Sequence, residues 1–152
     1  MRVTETLGPA ELVDPFVQAT DYFSTFGGGT AACAAALAVL RTIAEERIVE
    51  RAGDVGARLA GAVRELADSR DAVAGVRGWG LAVGIDIVGP GTGRPDPGHA
   101  RQIVEGMRDR GVLIGRTAHH GATLKLRPPL VFGDEHVALL TDALAACITT
   151  GG

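Results

Sequence analysis

Apolar residues recur along this 152-residue chain in two rhythms, and the rhythm changes where glycine and proline interrupt it. Cys33, Ala36, Leu37, Leu40 and Ile43 return every three or four residues, the spacing of one helical face. A second such face runs through Val49, Ala52, Val55, Leu59, Val63 and Leu66, and Asp68-Ser69-Arg70-Asp71 breaks it. Leu81, Val83, Ile85 and Ile87 alternate with Ala82, Gly84 and Asp86, the period of a half-buried strand. Further strands are expected at 73–77, 112–116 and 123–127, the last stopped by Pro128-Pro129. Ala100, Ile103, Val104 and Met107 form a third helical stripe, and Val137, Leu140, Leu144 and Ile148 a fourth.

The punctuation sets the element ends. Residues 9–13 can open a short helix that Asp14-Pro15 ends, because a residue before proline avoids the helical region. Gly27-Gly28-Gly29 permits close backbone approach, and Thr30 is expected to cap the helix that follows. Gly78-Trp79-Gly80 reads as a turn, and 89–98 as a loop. Asp96 is expected as a cap with Pro97 at the first helical position, Gly111 as a stop, and Asp134 as the cap of the last helix. Neighbouring strands joined by short turns, with helices around them, predict an α+β fold: a small, largely antiparallel sheet covered by helices. No internal repeat is visible.

Composition narrows the function. The net charge of −3 gives no field for nucleic acid or anionic lipid, and scarce aromatics give no stacking platform for bases. Cys33 and Cys147 sit in alanine-rich, helix-like runs and read as buried, reduced thiols. No signal peptide is visible, and no apolar run approaches the roughly 18 residues of a spanning helix, so a soluble, cytoplasmic protein is expected. There are fourteen arginines but a single lysine, Lys125, so any chemistry that needs a lysine must use that one or another chain's.

Several ordered segments carry a resemblance. Tyr22-Phe23-Ser24-Thr25-Phe26-Gly27-Gly28 ahead of an alanine-rich helix resembles the Y-F-x-T-F-G-G-N-P segment of class III, fold-type I pyridoxal-phosphate (PLP) aminotransferases. Val76-Arg77-Gly78-Trp79-Gly80-Leu81, Gly84-Ile85-Asp86-Ile87-Val88, Arg110-Gly111-Val112-Leu113-Ile114 and Leu124-Lys125-Leu126-Arg127-Pro128-Pro129-Leu130 follow in the family's order. The last, with histidines just before it, is similar to the branch of alanine–glyoxylate aminotransferase-like enzymes and amino-phospho-lyases. The resemblance implies the C-terminal small α+β domain of such an enzyme at 46–150. It implies a trailing piece of the PLP-binding large domain at 1–45, whose apolar surface would meet the rest of that domain and a homodimer partner. The family's cofactor-linking lysine precedes the matched region, so the isolated chain is expected to be inactive.

The resemblance also implies the site residues. Thr25, with Ser24 beside it, would donate to the phosphate of the partner subunit's PLP; the alternative is a threonine that only caps a turn. Where the family has Asn-Pro, this chain has Gly29-Thr30, which loosens the start of the helix. Many relatives place an arginine at the position of Lys125 to hold the substrate α-carboxylate. Here Lys125, Arg127 or neither would bind the amino-acid or 2-oxo-acid substrate, and spacing along a strand puts both on one face. The alternative is that one of them pairs with a surface acid. The implied activities are amino-group transfer between an amino acid and a 2-oxo acid, elimination of phosphate from an amino-alcohol phosphate, or a non-catalytic binding module. His119 and His120 are not expected to hold a metal, since no third ligand lies nearby in sequence. His99 and His136 are expected to face solvent, and Glu45, Glu46 and Glu50 to form a solvated helix face. Gly27-Gly28-Gly29 lacks the Gly-Lys-Ser/Thr of a phosphate-binding P-loop, and Gly78-Trp79-Gly80 precedes a strand rather than the helix a dinucleotide motif requires.

Overall fold

A computed structural model of the chain describes residues 9–21, 23, 25 and 27–148. It divides into two compact units, Met1–Arg47 and Ile48–Gly152.

The first unit holds α1 (Ala10–Ala19) and α2 (Thr30–Glu45), neither of which buries a residue. Contrary to the sequence expectation, α1 runs through Pro15. Proline removes one donor from the ladder, but Leu12 with Phe16 and Val13 with Val17 continue one apolar stripe across it at i, i+4 spacing. Thr30 is the first residue of α2 rather than its cap; Gly29 takes that place, following Gly28 at φ +69°, and no side chain bonds the first amides. Cys33 is exposed, not buried, because helical spacing identifies a face without guaranteeing that anything covers it.

The second unit contains α3 (Ile48–Ala67), β1 (Val73–Trp79), β2 (Ala82–Ile87), α4 (Pro97–Asp109), β3 (Gly115–Thr117), β4 (Thr123–Leu126) and α5 (Asp134–Cys147). The four strands lie in the order β1-β2-β4-β3, every neighbouring pair antiparallel. Val83, Ile85 and Ile87 of β2 and Leu124 and Leu126 of β4 turn one face into the core. Leu59 and Val63 of α3, Ile103 and Met107 of α4, and Leu140 and Leu144 of α5 meet them there. The helices therefore cover one sheet face, and the alternation leaves the other face polar.

Element ends differ from the sequence reading for local reasons. β1 continues to Trp79, which pairs with Ala82, so the hairpin turn is Gly80-Leu81 with Gly80 at φ +52°. Gly56 lets α3 rest on that turn: a Cβ there would lie 2.1 Å from the Gly80 carbonyl oxygen. β3 begins only at Gly115, since the Val112 amide turns back to the Met107 carbonyl at 2.9 Å and Gly111 takes φ +80°. β4 stops at Leu126, and Arg127 is the first residue beyond it, followed at once by Pro128 with no amide hydrogen.

The caps show the same locality. Asp96 caps α4 as expected, accepting from the His99 amide at 2.9 Å, with Pro97 in the first turn. The cap of α5 is Gly133, not Asp134. The Gly133 amide donates to His136 Nδ1 at 3.1 Å, while Asp134 accepts from Arg58 Nε at 2.7 Å. His136 also stacks on Phe132, so it is exposed yet engaged. Among the described residues, no helix is long and apolar enough to cross a membrane.

Candidate functional site on the open sheet face

Strand register arranges the open face in rows. Arg77 lies opposite Gly84, Gly84 opposite Lys125, and Lys125 opposite Gly115, so two cations alternate with two glycines across four strands. The next row is Gly75, Asp86, Thr123 and Thr117. Missing side chains at Gly84 and Gly115 leave a floor beside the lysine stem; a Cβ on Gly115 would sit 3.5 Å from Lys125 Cε. The result is a concavity of about 330 Å³ bordered by Arg77, Gly84, Thr117, Thr123, Lys125 and Arg127.

Polar contacts fix one half of this surface. The Thr123 hydroxyl, in a buried residue, donates to Asp86 Oδ1 at 2.6 Å, and Arg77 Nη1 donates to Asp86 Oδ2. The Arg77 hydrogen bond holds the Asp86 carboxyl below the usual carboxylate range; partial burial pushes the other way, and the Thr123 hydroxyl and the Arg77 charge add to the lowering. The same hydrogen bond and charge raise Arg77 further above its ordinary value. Asp86 is thus a committed anion.

The other half is free. Lys125, half-buried, and Arg127, exposed, both border the concavity, so the structure brings these two expected residues together. Neither forms an ion pair with an acid among the described residues. Such a surface can seat an anion; it presents no nucleophile paired with a base. Thr25 lies exposed in a turn of the first unit, and Ser24 lies outside the described residues. The rings of His119 and His120 meet edge-on, 5.2 Å apart, in an exposed loop. Cys147 is a half-buried free thiol on α5.

The sequence reading passed over Arg77, Asp86 and Thr123 as site residues. A signal was present: the alternation that buries Val83, Ile85 and Ile87 forces Gly84 and Asp86 onto the opposite face, and an acid on a central strand needs partners.

Comparison with known proteins gives a consistent result. Residues 1–148 match the family described as aminotransferase class III. The chain is 36% identical over 129 residues to an acetylornithine aminotransferase of Methanothermobacter thermautotrophicus, covering 85% of this chain and 30% of that protein. It superposes with TM-score 0.87 and 40% identity on a phospholyase from Arthrobacter solved in complex with phosphoethanolamine, covering 91% of this chain and 33% of the other. An amine transaminase from an uncultivated Pseudomonas species, solved in its PLP-bound form, matches with TM-score 0.75 and 34% identity over 88% of this chain and 30% of that one. The chain therefore spans about a third of the length of the proteins it matches.

Proposed function

The chain belongs to the class III aminotransferase family, and from that premise we propose that it is the C-terminal portion of a PLP-dependent transaminase, moving an amino group between an amino acid and a 2-oxo acid. The observation that carries this reading is the pair Lys125 and Arg127 on one concavity, with no acid claiming either among the described residues. In the complete enzyme they hold the substrate carboxylate. Two cations fix its position and charge, and the orientation they impose is a large part of what a non-reacting wall contributes to rate. The Arg77–Asp86–Thr123 network ties β1, β2 and β4 together beside them.

PLP, when bound, supplies an electron sink for the substrate α-carbon. The described residues fit one contact with it. Thr25 presents an exposed hydroxyl in a glycine-rich turn, suited to donating to the phosphate of the neighbouring subunit's cofactor, with Ser24 beside it. The amine that links the cofactor is a different matter. The chain's single lysine sits among glycines on an open sheet face, where it serves as a charge. The isolated chain is accordingly inactive, and the active form is a homodimer of the longer protein. Exposed Leu12, Val17, Leu37 and Leu40 in the first unit support burial against further protein. Free thiols and a modest net charge suit a cytoplasmic protein that binds neither nucleic acid nor membrane. We assign residues 1–45 to the large domain and 46–150 to the small one.

A second reading has its own support. Lysine is a compact point charge where a transaminase arginine would fork around a carboxylate, and a point charge suits a phosphate equally well. The similarity to the phosphoethanolamine-bound phospholyase favours that substrate class. Because Lys125 is the chain's only lysine, its side-chain ¹³Cε signal is unambiguous. Saturable movement with 2-oxoglutarate supports the transaminase reading, and movement with phosphoethanolamine alone supports the phospho-lyase. No response to either would remove the concavity from the substrate site.

A further inference from the structure

We propose that Asp86 is a specificity-determining residue: by pairing with Arg77 it offsets that charge, so the concavity meets an anion with two uncompensated cations rather than three. This rests on reading the concavity as the anion-holding wall. Arg77 and Lys125 flank Gly84 on neighbouring strands, so their backbones stand about 10 Å apart at ordinary strand spacing. A Cβ on Gly84 would stand 3.5 Å from the Thr123 methyl and 3.8 Å from Arg77 Cγ, so an anion seated over Gly84 would lie beside the Arg77 stem and within reach of both cations. Lys125 has no acid partner among the described residues, whereas the Arg77 charge is countered by one. Arg77 Nη1 is taken by Asp86 Oδ2, and Asp86 is itself held from across the sheet by the Thr123 hydroxyl at 2.6 Å. Arg77 is 62% exposed along its side chain, so packing does not restrain it; the carboxylate does.

The consequence is a choice between anions. A carboxylate carries one charge and is satisfied by Lys125 and Arg127. A phosphate monoester carries up to two and gains more from a third cation. Asp86 thus biases the wall toward monoanionic groups, and releasing Arg77 would shift it toward dianions. Positioning is indirect: Asp86 touches Arg77 and Thr123 and reaches the ligand only through the cation it offsets.

The test uses the full 152-residue chain, the Lys125 ¹³Cε signal, and two probes, inorganic phosphate and acetate. In the unsubstituted chain, phosphate should move Lys125 and leave the Arg77 Nε–H resonance in place. Asp86→Asn keeps the shape and the Thr123 contact while removing the charge. It should tighten phosphate about fivefold and acetate less than about twofold. Asp86→Glu should restore the original ratio. Arg77→Gln combined with Asp86→Asn should abolish the gain, which separates recruitment of Arg77 from simple loss of a repelling acid. Persistence of the gain in the double variant, or no gain in a folded Asp86→Asn chain, overturns the inference. So does movement of Arg77 with phosphate in the unsubstituted chain, a result that needs no variant to fold. If Lys125 answers neither probe, the anion-wall reading fails and takes this inference with it; if Lys125 answers but Asp86→Asn changes nothing, Asp86 alone is refuted.

Discussion

Asp86 titrates below an ordinary aspartate because Arg77 and Thr123 bond its charged form. A carboxyl whose folded pKa is lowered adds stability above its unfolded value and loses it as pH falls through the folded one. The contribution is therefore complete above about pH 4 and disappears in stronger acid. Thermal melts should show Asp86→Asn less stable than the unsubstituted chain at pH 7, with the gap closing below pH 4; a constant gap would mean the charge is irrelevant. Lys125 makes the opposite case. It has no acid partner among the described residues and its stem lies beside glycines, so Lys125→Met should change stability by less than about 0.5 kcal/mol. The same substitution should weaken 2-oxoglutarate binding severalfold, read from protection of amide resonances on β4. At this scale the sequence singled out Lys125 and Arg127 through a resembling motif, and both border the concavity. It was silent on the Arg77–Asp86–Thr123 network, because cross-strand neighbours separated by up to 37 positions are fixed by register rather than by spacing.

Elements were legible where one apolar period ran uninterrupted. The helices α3 and α4 and strand β2 emerge close to their expected limits, and Asp96 caps α4. The misreadings cluster at punctuation. Pro15 does not stop α1, Trp79 extends β1, and Gly133 rather than Asp134 precedes α5. The last two depend on contacts with another segment: the β1–β2 turn is clamped under Gly56, and the Asp134 side chain is drawn to Arg58 on α3. Gly56 gives the sharpest check on that geometry. Gly56→Ala forces a methyl into the Gly80 backbone and should cost about 3 kcal/mol in denaturant melts, despite favouring an isolated helix. A neutral or stabilising effect would show that α3 does not rest on the turn. Asp96→Ala should cost about 1 kcal/mol through loss of the His99 amide bond.

The whole molecule is two units of unlike character. One buries Leu59, Ile85, Ile103, Leu124 and Leu144 completely; the other buries nothing in either helix. Hydrogen exchange should follow: strong protection in β2, β4 and the core face of α3, and little in α1 and α2. Equal protection of α1 and α2 would contradict a first unit awaiting further protein. Family membership, a third of the relatives' length and a lone lysine on an open sheet together define the central claim, that this chain supplies anion-holding residues and not the amine that links the cofactor. The most direct test is borohydride reduction of the purified chain with stoichiometric pyridoxal phosphate, followed by peptide mass mapping. The expected result is no stoichiometric cofactor mass on Lys125. A full equivalent reduced onto Lys125, from a chain with no companion polypeptide, would contradict the account.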